Sequence, residues 1–190
     1  MANAQQAQTV STTIKDFLPI NGTDYIEFYV GNAKQAAYYY RTAFGFKLVA
    51  YAGLETGVRD KTSYVLQQDK IRFVLTTPLI PEHSISDHIK LHGDGVRDIA
   101  LWIDDAESAY KETTKRGARG VMEPTTFSDD FGELKKSSIA IYGDTIHSFI
   151  ERKNYRGAFM PGYKAMPDDT IARPVGLKYV DHCVGNVELG

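Results

Sequence analysis

The amino-acid sequence predicts an α+β fold made of paired βαβββ units, followed by the first strand of a second module. Three observations predict it: a strand–helix pattern that occurs twice, capping residues at the ends of both helices, and three strand-like runs after each helix. Two curved antiparallel sheets, each with a helix on its outer face, are expected to form a cup. A binding or catalytic site is expected on the concave inner surface of that cup.

The repeat joins residues 24–47 and 97–119, which lie 73 positions apart. In both segments apolar residues alternate along a strand, so that every second side chain shares one face. At this offset Val30 corresponds to Ile103, and alanines recur at matching places in the helices that follow. With the strand-like runs that come after each helix, residues 22–152 are predicted to hold two βαβββ units.

Capping residues mark the ends of both predicted helices. Asn32 is expected to cap the first helix, and Asp104 with Glu107 forms a capping-box pattern at the start of the second. Gly45 and Gly117 stand where a left-handed residue commonly ends a helix. These signals place one helix between the first and second strands of each unit.

Three other segments flank or follow these units. Residues 1–21 are polar and lack the apolar core of a signal peptide, so we expect a flexible lead-in. Residues 153–177 contain three of the seven prolines and are predicted to be a linker with turns. Residues 178–190 start with a strand-like run and repeat the Val-Gly-Asn of the first strand. We therefore expect a second module that the chain leaves after one strand and a helical cap.

Composition argues against several classes of function. The hydrophobic share of 43% and the charged share of 24% are typical of a soluble globular protein. A net charge of −2 gives no argument for binding nucleic acid or an anionic membrane, and no apolar run approaches the roughly 20 residues that a membrane span needs. The single cysteine, Cys183, excludes an internal disulfide framework and favours a reducing, cytoplasmic location.

Four stretches of the sequence carry a resemblance to a known family. In chain order they read EFYVGNAKQAAYYYRTAFGFKLVAYAG, DHIKLHGDGVRDIAL, GDTIHSFIERKNYRGAFMPGY and YVDHCVGN. Together they resemble the N-terminal half of the 4-hydroxyphenylpyruvate dioxygenase family, within the vicinal-oxygen-chelate superfamily, over about residues 15–190. The resemblance implies two modules of paired βαβββ units: a non-catalytic N-terminal scaffold, and a C-terminal module that holds Fe(II) on two histidines and a glutamate.

The resemblance also implies a reaction and two site residues. The whole enzyme would convert 4-hydroxyphenylpyruvate and O2 to homogentisate and CO2 in tyrosine catabolism, and it would be a homo-oligomer. His182, in an Asp-His-x-Val-Gly-Asn motif, would be the first iron ligand, and Val184 would line the substrate pocket. Because a single histidine does not hold Fe(II) well, we expect the 190-residue chain alone to be inactive.

The resemblance and the repeat assign counterparts of the iron ligands to the first module. These are Tyr25, Asp98 and Glu151, which offer two carboxylates and a phenol but no imidazole. Such a set suits Fe(II) poorly, so we expect a degenerate copy of the catalytic site, kept as scaffold. Matching the two Val-Gly-Asn runs sets His182 opposite Phe28, on the helix-facing side, and a one-residue bulge would turn it toward the cup.

Two other functions stay open. 4-Hydroxymandelate synthase would share the fold, the ligands and the substrate but yield a different product, and a non-enzymatic module would bind a small ligand or mediate oligomerisation. Three histidines, His83, His88 and His92, lie close together in sequence without an evident third ligand, so an exposed polar helix and turn is expected there. His147 is expected to be a hydrogen-bonded residue of the cup.

Overall fold

The computed structural model describes residues 16–187 and confirms two successive βαβββ units in that range. A further helix joins the units, and a short strand follows them. None of the helices in this range has the length and apolar character needed to cross a membrane. The elements are β1 (Ile20–Tyr29), α1 (Ala33–Ala43), β2 (Lys47–Ala52), β3 (Lys61–Gln68), β4 (Ile71–Pro78), α2 (Ser84–His92), β5 (Gly95–Ile103), α3 (Ala106–Lys115), β6 (Gly120–Asp129), β7 (Gly132–Ala140), β8 (Ile146–Glu151) and β9 (Lys164–Ala165).

The strands form one mixed sheet, not the two antiparallel sheets expected. Its order is β6-β7-β8-β5-β1-β4-β3-β2-β9. Within each unit the first strand is parallel to the last, β1 to β4 and β5 to β8. This follows from the connections, because the helix and the middle strand of each unit return the chain twice and leave the last strand running in the direction of the first. The two units join through the antiparallel pair β1–β5 at the centre of the sheet.

The central strand pair relates the two units by an approximate two-fold axis. Ile26 on β1 lies opposite Ile99 on β5, and these residues hold equal positions in the 73-residue repeat. An antiparallel pair centred on equivalent residues is the arrangement that a two-fold axis produces. The repeat in the sequence is therefore also the symmetry of the fold.

The N-terminal caps of α1 and α3 are equivalent. The side chains of Asn32 and Asp105 each accept a backbone N–H three residues later, at 3.0 and 2.9 Å. The capping box expected from Asp104 and Glu107 is wrong by one position, because Asp105 is the counterpart of Asn32 in the repeat. Asp104 accepts a hydrogen bond from the side chain of Asn21 at 2.8 Å instead.

The two helices pack on the sheet with different side chains. Under α1 the core is aromatic, and the rings of Phe46 and Phe73 stack with their centroids 4.9 Å apart. Under α3 the helix contributes small residues, Ala106 and Ala109, and the hydroxyl of Thr113 donates to the Ala109 carbonyl at 2.7 Å. A third apolar cluster fills the concave face of the sheet.

Residues 153–177, predicted to be a linker, belong in part to the folded unit. Tyr155 forms a bridge with Gly132, and β9 pairs with β2 at the edge of the sheet. Further along, the Asp169 carboxylate binds the Arg41 guanidinium through two hydrogen bonds of 2.6 and 2.8 Å. The linker interpretation is corrected for these residues, because their side chains and backbone find partners on the sheet and on α1 in spite of the prolines around them.

The two ends of the described chain also differ from expectation. The predicted lead-in is shorter than residues 1–21, since β1 already begins at Ile20; residues 1–15 lie outside the described residues. The strand expected over 178–184 is not formed. A strand requires backbone hydrogen bonds to a neighbouring strand. Within the described residues the backbone of this run accepts one, from the Lys70 N–H to the Lys178 carbonyl at 3.0 Å. The helical start expected after it falls largely at 188–190, outside the described residues.

Candidate functional site

A buried polar network lies at the centre of the concave face. Tyr25 on β1 and Asp98 on β5 hold equal positions in the repeat, and the Tyr25 hydroxyl donates to Asp98 Oδ2 at 2.9 Å. The Lys136 ammonium donates to the Tyr25 oxygen at 2.7 Å and lies 3.4 Å from Asp98 Oδ2. Ser148 on β8 donates to the same carboxylate through its backbone N–H at 3.0 Å and its hydroxyl at 2.6 Å. Four donors therefore hold the Asp98 carboxylate.

Burial raises the pKa of Tyr25 and that of Glu27 beside it. Tyr25 is 2% exposed; burial raises its pKa well above the ordinary value, and the charge of Asp98 adds to the rise. The phenol is therefore a neutral hydrogen-bond donor at neutral pH. Glu27, two residues along the same face of β1, also has its pKa raised by burial, against the opposing effects of Lys136 and the Thr76 hydroxyl.

These donors do not fit an Fe(II) site. Tyr25, Asp98 and Ser148 supply oxygen atoms alone, whereas iron of this class is held by two imidazoles and a carboxylate. The ammonium of Lys136 also occupies the space beside Asp98 that a cation would need. The arrangement neutralises a buried carboxylate and fixes the centre of the sheet.

Glu151, expected in the cup, lies on the opposite face of the sheet. Its Oε2 accepts the backbone N–H of Ala106 at the start of α3, at 3.2 Å. His147 shares that face, and its Nδ1 lies 2.8 Å from the Ile99 carbonyl oxygen. The expectation that Glu151 and His147 face the cup is wrong because alternation along β8 turns Ser148 inward instead. Ser148 is the residue that β8 contributes to the network.

The chain's own segment after β8 fills the cup. Phe159 is 2% exposed, and its ring meets Tyr25 edge-on with 5.4 Å between centroids. Tyr163 packs against Phe159 at 4.9 Å, and Arg152 donates to the Phe159 carbonyl at 2.9 Å. The space left beside Glu27 is a cavity of about 230 Å³, below the roughly 300–1,000 Å³ of most ligand pockets. The concave face is therefore mainly a packed core.

His182 and Val184 lie outside the cup. The His182 side chain is exposed, and its Nδ1 lies 2.7 Å from Oδ2 of the neighbouring Asp181. Val184 is 78% exposed. Among residues 16–187, three potential metal-binding side chains come together in one group, and His182 is not part of it. The described chain thus brings one imidazole and its neighbouring carboxylate to this position, and the ligand role of His182 stays a prediction.

A second polar group, which the sequence did not reveal as a site, lies near one end of the central strands. It consists of His88 and His92 on α2 and Asp144 in the turn before β8, and we call it the His–Asp cluster. Its potential ligand atoms all lie within 4.8 Å of one another. Local spacing indicated the two histidines, but the carboxylate comes from 52 residues further along the chain. The long-range β5–β8 pairing brings it there.

Comparisons with known proteins show which family the chain resembles in sequence. A family model described as "Hydroxyphenylpyruvate dioxygenase, HPPD, N-terminal" matches residues 15–160. A protein named 4-hydroxyphenylpyruvate dioxygenase from Caenorhabditis elegans is 45% identical over 169 residues, which cover 86% of this chain and 43% of that protein. The protein of the same name from Aspergillus fumigatus is 42% identical over 184 residues, covering 87% and 46%. The chain spans about half the length of the curated relatives it matches.

Solved structures agree on the fold. A mutant of 4-hydroxymandelate synthase from Streptomyces coelicolor superimposes with a TM-score of 0.70 at 25% identity, covering 79% of this chain and 43% of that one. Methylmalonyl-CoA epimerase from Mycobacterium tuberculosis matches with a TM-score of 0.58 at 17% identity, covering 73% and 92%, and bears on the fold alone. The expected fold class, paired βαβββ units of the vicinal-oxygen-chelate type, is confirmed. By sequence and by structure, the chain belongs to the N-terminal domain family of hydroxyphenylpyruvate dioxygenases.

Proposed function

We propose that this chain is the N-terminal half of an enzyme that converts 4-hydroxyphenylpyruvate and O2 to homogentisate and CO2, in tyrosine and phenylalanine catabolism. The observation that carries the proposal is the 42–45% identity to two proteins of that name, across most of this chain. Because the match spans about half of each relative, the reaction is assigned to a longer protein of which this chain forms one half.

The concave face supports a scaffold role for this half. Its centre holds a carboxylate neutralised by Lys136, and Phe159 occupies the space above it. A substrate would have to displace Phe159 to reach Asp98, and it would find no imidazole in the Tyr25–Asp98–Ser148 set. We therefore assign the chemistry to the other half of the enzyme and expect the 190-residue chain alone to be inactive.

We propose His182 as the iron ligand that this half contributes. When bound, Fe(II) would supply open coordination positions for a keto acid and O2. Asp181 lies against Nδ1 of His182 and so orients the ring, which leaves Nε2 free to face a metal. In an extended run alternate side chains share one side, so Val184 would line the substrate pocket beside the ligand. The described residues do not complete an iron site by themselves.

The exposed aromatic surface of α1 supports a proposal on assembly, and the cysteine content supports one on location. Tyr38 and Tyr39 on α1 are 59% and 55% exposed, and such aromatic surface favours contact with a second copy of the chain. We propose a homo-oligomer on this ground. The single cysteine, Cys183, is exposed and unpaired, which suits a reducing cytoplasm.

A second candidate reaction is that of 4-hydroxymandelate synthase. It is favoured by the structural match to the Streptomyces coelicolor protein of that name, with a TM-score of 0.70. Both candidates use the same family fold, so the identity of the product separates them.

The test uses the full-length protein loaded with Fe(II) and supplied with 4-hydroxyphenylpyruvate and O2. We expect O2 uptake and homogentisate from the wild type, and loss of both in His182→Ala. The matched control is His83→Asn; the side chain of His83 caps α2, and asparagine keeps that capacity. We expect this variant to retain activity.

Each other outcome has a defined meaning. Hydroxymandelate as the product would select the second candidate. No O2 uptake by the iron-loaded wild type would contradict both reactions. Full activity in His182→Ala would remove the ligand role, and turnover by the 190-residue chain alone would contradict the scaffold role.

A further inference from the structure

The His–Asp cluster has the composition of a metal site. His88 and His92 are one turn apart on α2, with ring centroids 4.6 Å apart, and His92 Nε2 lies 2.8 Å from Asp144 Oδ2. Two imidazoles and one carboxylate therefore converge from two separate elements. The cluster shares no residue with the concave network and does not include His182, and neither the family model nor the relatives' names assign it a role.

The fold, and not local sequence, places these donors together. β5 begins three residues after α2 ends, and β8 runs parallel beside β5, with Asp98 opposite Ile146. The turn that leads into β8 therefore lies beside the C-terminal end of α2. Arg97 strengthens this position, because its guanidinium donates to the backbone carbonyl of Asp144. The backbone of Asp144 is thus held beside the cluster by strand pairing and by Arg97, neither of which depends on a metal.

The histidines are available as ligands. His88 stacks edge-on against Tyr29, with ring centroids 5.2 Å apart. His88 is half-buried, whereas His92 and Asp144 are exposed, and a cavity borders His88 and Asp144, so an ion can reach the donors from solvent.

We propose that the His–Asp cluster binds a divalent transition metal of the zinc class, with His88, His92 and Asp144 as its protein ligands. Imidazole nitrogens favour Zn²⁺, Co²⁺ or Ni²⁺ over Mg²⁺ and Ca²⁺, which prefer oxygen donors. A tetrahedral ion about 2.0–2.1 Å from each donor needs ligand atoms roughly 3.3 Å apart, and donors that already lie within 4.8 Å reach this by side-chain rotation.

An ion at this place would act as a clamp between parts of the chain that are distant in sequence. A cavity of about 270 Å³, lined in part by Ser84 and Leu91, adjoins the cluster and leaves room for water in the fourth position. The bound ion would join α2, which connects the two βαβββ units, to the turn between β7 and β8. It would also shield the negative charge of Asp144 from that of Asp87 across the cavity.

The test is a calorimetric titration of the metal-free chain with Zn²⁺. We expect one ion per chain with micromolar affinity, a rise of several degrees in melting temperature at saturating Zn²⁺, and shifted imidazole ¹⁵N resonances for His88 and His92. His92→Gln and Asp144→Asn should each weaken binding by about tenfold or more. Both residues are exposed, so circular dichroism should show an unchanged fold for either variant.

The matched control is His182→Ala, which removes the other exposed histidine that contacts a carboxylate. It should bind Zn²⁺ as the wild type does. Absence of binding to the wild type would overturn the proposal, as would binding that His182→Ala abolishes or that neither His92→Gln nor Asp144→Asn weakens. None of these results depends on dioxygenase activity, so the metal site and the proposed reaction fail or succeed separately.

Discussion

The two βαβββ units share one topology but bury different chemistry at equivalent positions. At the 73-residue offset Tyr25 corresponds to Asp98, and Glu27 corresponds to Ala100. The approximate two-fold axis between β1 and β5 brings the first of these pairs into direct contact, and the phenol donates to the carboxylate. The two units thus place a complementary pair where identical units would set equal residues against each other across the axis.

The cores under the two helices, on the other side of the sheet, also differ between the units. α1 rests on stacked rings, Phe46 on Phe73, while α3 contributes Ala106 and Ala109 to its own core. Both units nevertheless keep the alternating strands and the Asx cap. Strand alternation and the Asx caps therefore indicate the shared topology, while the side chains that fill the core differ between the two units.

The largest expected effect on stability comes from removing Asp98, the second unit's residue in the Tyr25–Asp98 pair. Asp98→Ala leaves the half-buried ammonium of Lys136 without this carboxylate and leaves the backbone N–H of Ser148 without its acceptor. We expect the free energy of unfolding to fall by about 3–5 kcal/mol, measured by urea denaturation. A loss below about 1 kcal/mol would show that the network does not fix the centre of the sheet.

Removing the hydroxyl of Tyr25, the first unit's residue in this pair, should lower the free energy of unfolding less. Tyr25→Phe keeps the ring against Phe159 and removes one hydroxyl, while Asp98 retains its bonds to Ser148. We expect a loss of about 1–3 kcal/mol in the same assay. A double-mutant cycle with Asp98→Ala measures their coupling, and strictly additive losses would contradict a direct interaction across the axis.

The helix caps should be equal in the two units. Asn32→Ala and Asp105→Ala each remove one accepted backbone N–H, and each should cost about 1 kcal/mol in thermal or urea unfolding. Asp104→Ala is the matched control at a neighbouring acidic position, and it should cost less than either cap. An Asp104→Ala loss larger than that of Asp105→Ala would restore the capping box expected from the sequence.

The smallest expected effect on stability comes from Glu27, whose counterpart in the second unit is Ala100, and this effect depends on pH. Burial raises the pKa of Glu27 above its ordinary value of 4.5, so the folded chain holds this proton more tightly than the unfolded chain does. The stability this contributes is complete below pH 4.5 and is lost as pH rises through the folded pKa. Glu27→Gln should therefore raise the melting temperature slightly at pH 8 and leave it unchanged at pH 4. A larger gain at pH 4 than at pH 8 would reverse the sign.

Much of the fold could be predicted from local signals. The alternation around Ile26, the cap at Asn32 and the glycine at Gly45 act over a few residues, and each is visible in the sequence. The same signals recur 73 residues later, so the pairing of the two units could be anticipated from the repeat. Gly45 and Gly117 do adopt positive φ values, of 69° and 99°.

The rest depends on contacts between distant parts of the chain. The face that Glu151 presents follows from the register of β8, which an error of one residue reverses. Asp144 reaches His92 through the pairing of β5 with β8, and Phe159 enters the cup from a segment rich in glycine and proline. The run at 178–184 has the composition of a strand, but composition does not supply the neighbour with which a strand must pair.

The filled cup has a consequence for anything that could bind there. Phe159 is covalently tethered seven residues after Arg152, so its ring competes for the concave face at the effective concentration of a short linker, which is on the order of millimolar. A free aromatic molecule in the cell would have to exceed that concentration, or bind correspondingly better, to displace it. The segment after β8 therefore acts as a tethered competitor, which keeps the concave face closed to free aromatic molecules.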